Sequence, residues 1–321
     1  MMKGKKKMNK QRRIKKTMDN IVVIGVDHGW SQMKTANTVF SAGVEEILSE
    51  PAFFDDVLEY GGKYYKVGTK RDTVMDNKTV NEDYYLLTLA SIAKEMKTRN
   101  MTEAKVILGT GLPATRYGAE KKGFIKYLSR NRDIRFRFEQ VDYKVVLEKV
   151  AVFPQGYAAA IDIIGKSGKQ LVIVDIGSWT IDIIPIRADG TPDEANANTI
   201  TEGLIPCMRR INKQFMRLYN EKIDEDIIKQ YIITGQIDLE DRFTKIIDAN
   251  LNEFAVKLFN SLREEGYSLN TTQFCINGGG AIVLKKFGHV AQKNVHYNFD
   301  IHANAKGYEE LVKLALAKKA G

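Results

Sequence analysis

Two stretches of this chain pair a carboxylate with a glycine turn and a hydroxyl. IGVDHGWSQMK (24–34) and IVDIGSWTIDI (173–183) each run as apolar strand, Asp-x-Gly turn and second strand. Glycine has no Cβ, so the N–H groups of such a turn can approach a phosphate closely. Ser31 and Thr180 add hydroxyl donors beside the turns at Gly29 and at Gly177-Ser178. Asp27 and Asp175 would repel phosphate oxygens directly, so a divalent cation with its water shell is expected between them. Mg²⁺ keeps several waters and uses few carboxylates, which suits two lone aspartates. Lys34, on the returning strand, offers a point charge to the phosphates. One Asp-x-Gly alone reads as a hairpin turn. Two in matching contexts predict an internal duplication: two similar domains that clasp one polyphosphate from both sides.

A third element follows late in the chain. Gly278-Gly279-Gly280 stands after an apolar strand and before a helix. Three glycines permit close approach of backbone to a flat adenine or guanine and its ribose. No GxxxxGK[ST] loop occurs, nor a GxGxxG opening a βαβ unit, so neither a P-loop nor a dinucleotide site is supported.

The elements that must position these groups can be read from periodicity. Strands are expected at 21–26, ending in a turn at Asp27-His28-Gly29, and around 33–40. A short hairpin is expected around 64–68, after the Gly61-Gly62 turn. A helix covers 83–98, and a buried strand at 106–108 runs into Gly109-Thr110-Gly111. A basic segment at 119–137 leads to strands near 136–143 and 145–153, and a helix at 156–164 closes the first half. The second half reads as strands at 171–175 and 181–186, a turn at Asp189-Gly190, and helices at 202–219, 224–231 and 246–265. A strand at 273–276 and an amphipathic helix at 308–318 complete it.

At 321 residues the chain is about two domains long. Its 44 % hydrophobic and 28 % charged residues are those of an ordinary globular protein. No run approaches the roughly 18–20 apolar residues of a membrane-spanning helix, and no apolar secretory leader is visible. Two cysteines without a CxxC partner fit a reducing cytoplasm, and four scattered histidines give no zinc spacing. The net charge of +9 comes from residues 1–18, which hold nine Lys or Arg and no acid; 40 basic and 40 acidic residues remain beyond them. Residues 1–19 are therefore expected to be a basic, disordered tail.

In the order phosphate turn, connecting segment, phosphate turn, glycine loop, the chain resembles the actin-like ATPase superfamily. Several phrases are similar to the ParM/StbA group of plasmid-segregation proteins: Asp27-x-Gly29-x-Ser31-x-x-Lys34, Thr110-Gly111-Leu112-Pro113, Phe153-Pro154-Gln155-Gly156-Tyr157, 175–182, 276–281 and Asn304-Ala305-Lys306-Gly307-Tyr308. The resemblance implies an α/β, two-domain actin-like (ribonuclease-H-like) fold with ATP or GTP in the interdomain cleft. Domain I would take 20–160 plus 303–321 and domain II 161–302, with the C-terminal helix returning to domain I. Asp27 and Asp175 would hold the water shell of Mg²⁺, and Gln155 would orient the attacking water. Gly29, Ser31, Gln32, Lys34, Gly177, Ser178, Thr180, Glu202, Gly203, Gly278, Gly279 and Gly280 would line the nucleotide. His28 and Trp179 stand where the family carries small or polar residues. The resemblance further implies cytoplasmic filaments of this chain, tied to plasmid DNA through a ParR-type DNA-binding adaptor, with no membrane partner. A small-molecule kinase of the same superfamily is the alternative, though it would need a further catalytic Asp in a separate insertion. A DNA- or membrane-binding protein acting through the basic tail is another.

Overall fold

The computed structural model describes residues 21–69, 79, 81–164, 170–288 and 293–320, so the basic segment 1–19 lies outside the described residues. They fall into two units. One draws on 1–112, 116–161 and 302–321, the other on 113–115 and 162–301.

Unit one opens with β1 (Ile21–His28), β2 (Gln32–Lys34), β3 (Val39–Ser41), β4 (Gly43–Ile47), β5 (Val57–Tyr60) and β6 (Lys63–Thr69). Then come α1 (Asp83–Thr98), β7 (Glu103–Leu112), α2 (Ala114–Leu128), β8 (Asp133–Phe138) and β9 (Val141–Pro154). Unit two holds β10 (Leu171–Ile176), β11 (Ile181–Ile186), β12 (Asn198–Ile200), α3 (Leu204–Tyr219), α4 (Glu225–Thr234) and α5 (Asp241–Glu264). It ends with β13 (Gln273–Asn277), α6 (Ala281–Phe287) and β14 (Val295–Tyr297), after which α7 (Ala303–Ala320) rejoins unit one.

The duplication seen in sequence extends to whole sheets. In unit one β3-β2-β1-β7-β9 are neighbours; in unit two β12-β11-β10-β13-β14 are. Both runs are antiparallel across the first two junctions and parallel across the last two. Unit one alone continues through β8-β5-β6-β4.

Side chains alternate across a strand, and β1 shows the consequence. Ile24 and Val26 join the core formed with Tyr84, Leu87 and Ile92 of α1 and Phe124 and Leu128 of α2. Val23, on the opposite face, packs with Ile107 and with Val312 of α7. In unit two, Val172, Val174 and Ile276 pack against Ile211 and Phe215 of α3 and Leu251 and Phe254 of α5.

Four expected elements differ; one is the strand near 136–143, which a turn at Glu139-Gln140, both with positive φ, divides between β8 and β9. The strand around 33–40 is broken into β2 and β3, because Thr35 folds the chain back: its Oγ1 accepts the N–H groups of Asn37 and Thr38. Asp27 and His28 lie inside β1 rather than in the turn. The helix expected at 156–164 is only a 3₁₀ turn at Ala158–Ala160. Gly156 has φ of 74°, and its N–H bonds the Asn304 side chain, so no helical turn can start there.

Candidate functional site

Unit one gathers three of the expected groups on one side of its sheet. Asp27 is the last odd-numbered residue of β1, on the face that Val23 shows to α7, and is 5 % exposed. β2 pairs back antiparallel, setting Lys34 directly across from Asp27, with its Nζ 4.0 Å from Oδ2. Gln155 follows β9; its N–H donates to the Leu112 carbonyl at 2.8 Å and its Nε2 to Asp27 Oδ1 at 3.0 Å. A carboxylate only accepts, so the amide nitrogen must be the end that faces Asp27.

The remaining expected residues of this turn sit around that pair. Gly29 packs tightly: a Cβ there would fall 2.4 Å from the Gln32 carbonyl. Ser31 is half-buried, and its carbonyl accepts from Ala42 N at 3.0 Å. Gln32 is exposed and shares a face of β2 with Lys34, while Met33 points into the core. His28 faces the core, fully buried. Its ring nitrogens bond Thr110 Oγ1 at 2.8 Å and Thr88 Oγ1 at 2.7 Å, and its ring meets Tyr84 and Phe124 edge-on. The bulky residue that ends β1 is thus absorbed by the helix side of the sheet. Trp30 lies edge-on to Tyr84, 6.5 Å between centroids.

Unit two builds the second turn from β10, β11, α3 and the glycine loop. Asp175, 8 % exposed, stands across from Asp182 in the antiparallel register. Gly177 N–H closes the turn on the Thr180 carbonyl at 2.9 Å. The first residues of α3 then clamp it: Gly203 N–H donates to Trp179 O at 2.9 Å, Leu204 N–H to Gly177 O at 3.2 Å and Ile205 N–H to Ser178 O at 2.8 Å. A Cβ at Gly203 would fall 2.6 Å from the Trp179 carbonyl carbon, so only glycine lets the helix come this close. The Arg209 guanidinium lies over the Trp179 ring at 4.6 Å. Glu202 turns along the helix to Arg210, 2.5 Å away.

The three glycines have separate tasks. Gly278, with φ of 85°, would put a Cβ 2.7 Å from Asp175 Oδ1. Gly280 donates to the Ile176 carbonyl at 3.2 Å, and a Cβ would strike Ile176 Cγ2. Both are small because the loop packs on the strand end that carries Asp175. Gly279 faces open space.

Asp182 is the residue that sequence reasoning passed over. It is 5 % exposed and accepts from Thr199 Oγ1 at 2.6 Å. The available signal was a charged residue inside the otherwise apolar strand IDIIPI. Among the described residues no group of three or more His, Cys, Asp or Glu could cage a metal. Each turn instead supplies a buried carboxylate, a donor set suited to a hydrated Mg²⁺ that phosphates help to hold.

Residues 25–157 match the family model described as the N-terminal domain of actin-like proteins. No curated protein matches the chain. Among solved structures, the archaeal actin homologue Ta0583 superposes with a TM-score of 0.76 at 16 % identity, over 91 % of this chain and 99 % of that one. A ParM from a 15-stranded filament of Clostridium botulinum gives 0.72 at 19 % identity, over 92 % and 99 %. Bacillus thuringiensis ParM with ATP gives 0.70 at 14 % identity, over 93 % and 100 %. The chain therefore has the actin-like fold, and its residues 25–157 are similar to the N-terminal domain of actin-like proteins.

Proposed function

We propose that the chain binds ATP or GTP with Mg²⁺ between its two phosphate turns, hydrolyses it, and couples the hydrolysis to self-assembly into filaments. The observation that carries this reading is buried Asp27 with half-buried Lys34 and Gln155 beside it, one carboxylate flanked by a cation and an amide. In this reading 20–160 plus 303–321 form domain I and 161–302 domain II. Asp27 and Asp175 would hold the water shell of Mg²⁺, which when bound would supply neutralisation of phosphate charge. Lys34 steadies the phosphates, and Gln155, anchored through Nε2, turns its Oε1 toward the attacking water. A neutral amide positions a water without taking its proton, so rate comes from geometry and electrostatics. Gly29, Ser31, Gly177, Ser178 and Thr180 cradle phosphate, and Gly279 is the open approach to base and ribose. Support comes also from the solved likenesses, which include ParM with ATP and a ParM filament. Movement of plasmid DNA in the cytoplasm, through a ParR-type adaptor, is the biological role this reading implies.

The test is phosphate release and pelleting with Mg²⁺ and ATP or GTP. Gln155→Ala is expected to bind nucleotide and assemble while turnover slows about 10²-fold, the scale of losing one positioned catalytic group. Asp175→Ala is expected to lose Mg²⁺-dependent turnover. Full turnover in either variant removes that residue from the mechanism, and a wild-type chain inert toward both nucleotides refutes the reading.

A further inference from the structure

The turn that follows Lys34 is held by groups the phosphate chemistry does not use. Thr35 is fully buried between β2 and β3. Its Oγ1 donates to Glu95 Oε2 at 2.5 Å, and Asn37 Nδ2 donates to Glu95 Oε1 at 2.6 Å. The Thr35 carbonyl accepts from His302 Nδ1 at 2.8 Å. His302 is the residue at which the chain re-enters unit one.

Glu95 is itself fixed. Arg99 Nε and Nη2 donate to its Oε1 at 2.9 and 2.7 Å. The same guanidinium reaches Glu309 Oε1 on α7 at 2.7 Å and the Val23 carbonyl at 2.8 Å. Glu309 Oε1 also accepts Gly25 N–H from β1 at 3.1 Å. A continuous polar ladder therefore runs from α7 through α1 to the residue next to Lys34.

The ladder has a specific mechanical use. β2 is only three residues long, and Lys34, its last residue, is in register with Asp27 and Val39 just before the chain leaves the strand at Thr35. The lysine stem is flexible, and its 4.0 Å contact with Asp27 is loose. The neighbouring residue, by contrast, is tied on both its side chain and its carbonyl. We propose that Thr35, Glu95 and His302 are positioning residues: they fix the backbone at Lys34 so that its ammonium meets the phosphates, and they connect that register to the segment entering α7. This rests on the reading of Lys34 as a phosphate contact. Displacement of a positioned group by about 1 Å can cost up to about 10²-fold in rate.

The test uses the full chain with Mg²⁺-nucleotide. Thr35→Val keeps shape and removes the hydroxyl; Thr35→Ser restores it. Thr35→Val is expected to lose about 10-fold or more in kcat/KM and to quicken hydrogen exchange across 35–41. It should melt at a lower temperature, since it removes buried bonds to Glu95, Asn37 and Thr38, while keeping the wild-type circular dichroism spectrum at the assay temperature. Thr35→Ser should recover turnover. In a Lys34→Ala background Thr35→Val should add nothing, because neighbours that act through one group are not additive. If Lys34→Ala is inactive while Thr35→Val turns over like wild type, the proposal is overturned and the phosphate reading stands. If Lys34→Ala retains wild-type turnover, the phosphate role of Lys34 falls and the proposal falls with it.

Discussion

Burial decides what the ionisable side chains can do. Burial pushes the Cys275 thiol up to about 12, and the charge of Asp175 acts in the same direction. Cys207 is pushed up to about 11 by burial, against a weaker pull from Arg210. The thiolate is the reactive form, so both cysteines should resist iodoacetamide at pH 8 in the folded chain and react once it is denatured. Labelling of the native protein at either position would contradict this. Glu95 shows the opposite balance. Burial pushes its carboxyl up, but hydrogen bonds from Thr35, Arg99 and Asn37 outweigh this and hold it below the ordinary glutamate value. A depressed folded pKa lends stability that is full above the unfolded value, about 4.3, and is lost as pH falls through the folded one. The gap in Tm between wild type and Glu95→Gln should thus be widest near neutrality and narrow as pH falls below the unfolded value of about 4.3; a gap independent of pH would refute the assignment. Asp27, Lys34 and Gln155 were legible as chemistry because their types recur in fixed short phrases. Glu95 was not, since its partner Thr35 lies 60 residues away and nothing local marks the pair.

At the scale of elements, α7 can lie on unit one only because β1 and β7 are small where it crosses. Gly25 and Gly109 are register partners, and Gly109 pairs in turn with Ala151 of β9. A Cβ at Gly25 would sit 1.9 Å from the Ala305 carbonyl oxygen, and one at Gly109 would meet Tyr308. Gly25→Ala should therefore cost about 3 kcal/mol, the upper range for forced overpacking, read as a lower denaturation midpoint. A wild-type midpoint would mean that the helix can lift without penalty. Period was the reliable guide to these elements: the helix at 83–98 and the strand at 181–186 stand as expected. It failed at 156–164, where three alanines and a tyrosine look helical but the backbone at Gly156 is left-handed and Ala158 is pressed against Gly307. Spacing cannot reveal a contact made by a helix that arrives 150 residues later in the chain, roughly speaking.

For the whole molecule, charge separates cleanly along the sequence. Without residues 1–18 the basic and acidic residues balance at 40 each, so the strong positive field belongs to one segment. Deleting residues 1–18 should leave nucleotide turnover within about twofold and shift mainly salt-sensitive binding to polyanions; loss of turnover would relocate function to that segment. Among the described residues no helix is long and apolar enough to cross a membrane. Repetition at the level of sheets was visible in sequence only through its two Asp-x-Gly phrases, because the flanking strands share pairing pattern rather than residues. That repetition also distributed the aromatic residues usefully. The chain has two tryptophans: Trp30, edge-on to Tyr84, and Trp179, beneath Arg209. Each repeat thus carries its own intrinsic fluorophore. Trp30→Phe leaves emission that reports on residues 177–180 alone, Trp179→Phe leaves emission from the first turn, and titrating both with nucleotide would time the engagement of each half without any added dye.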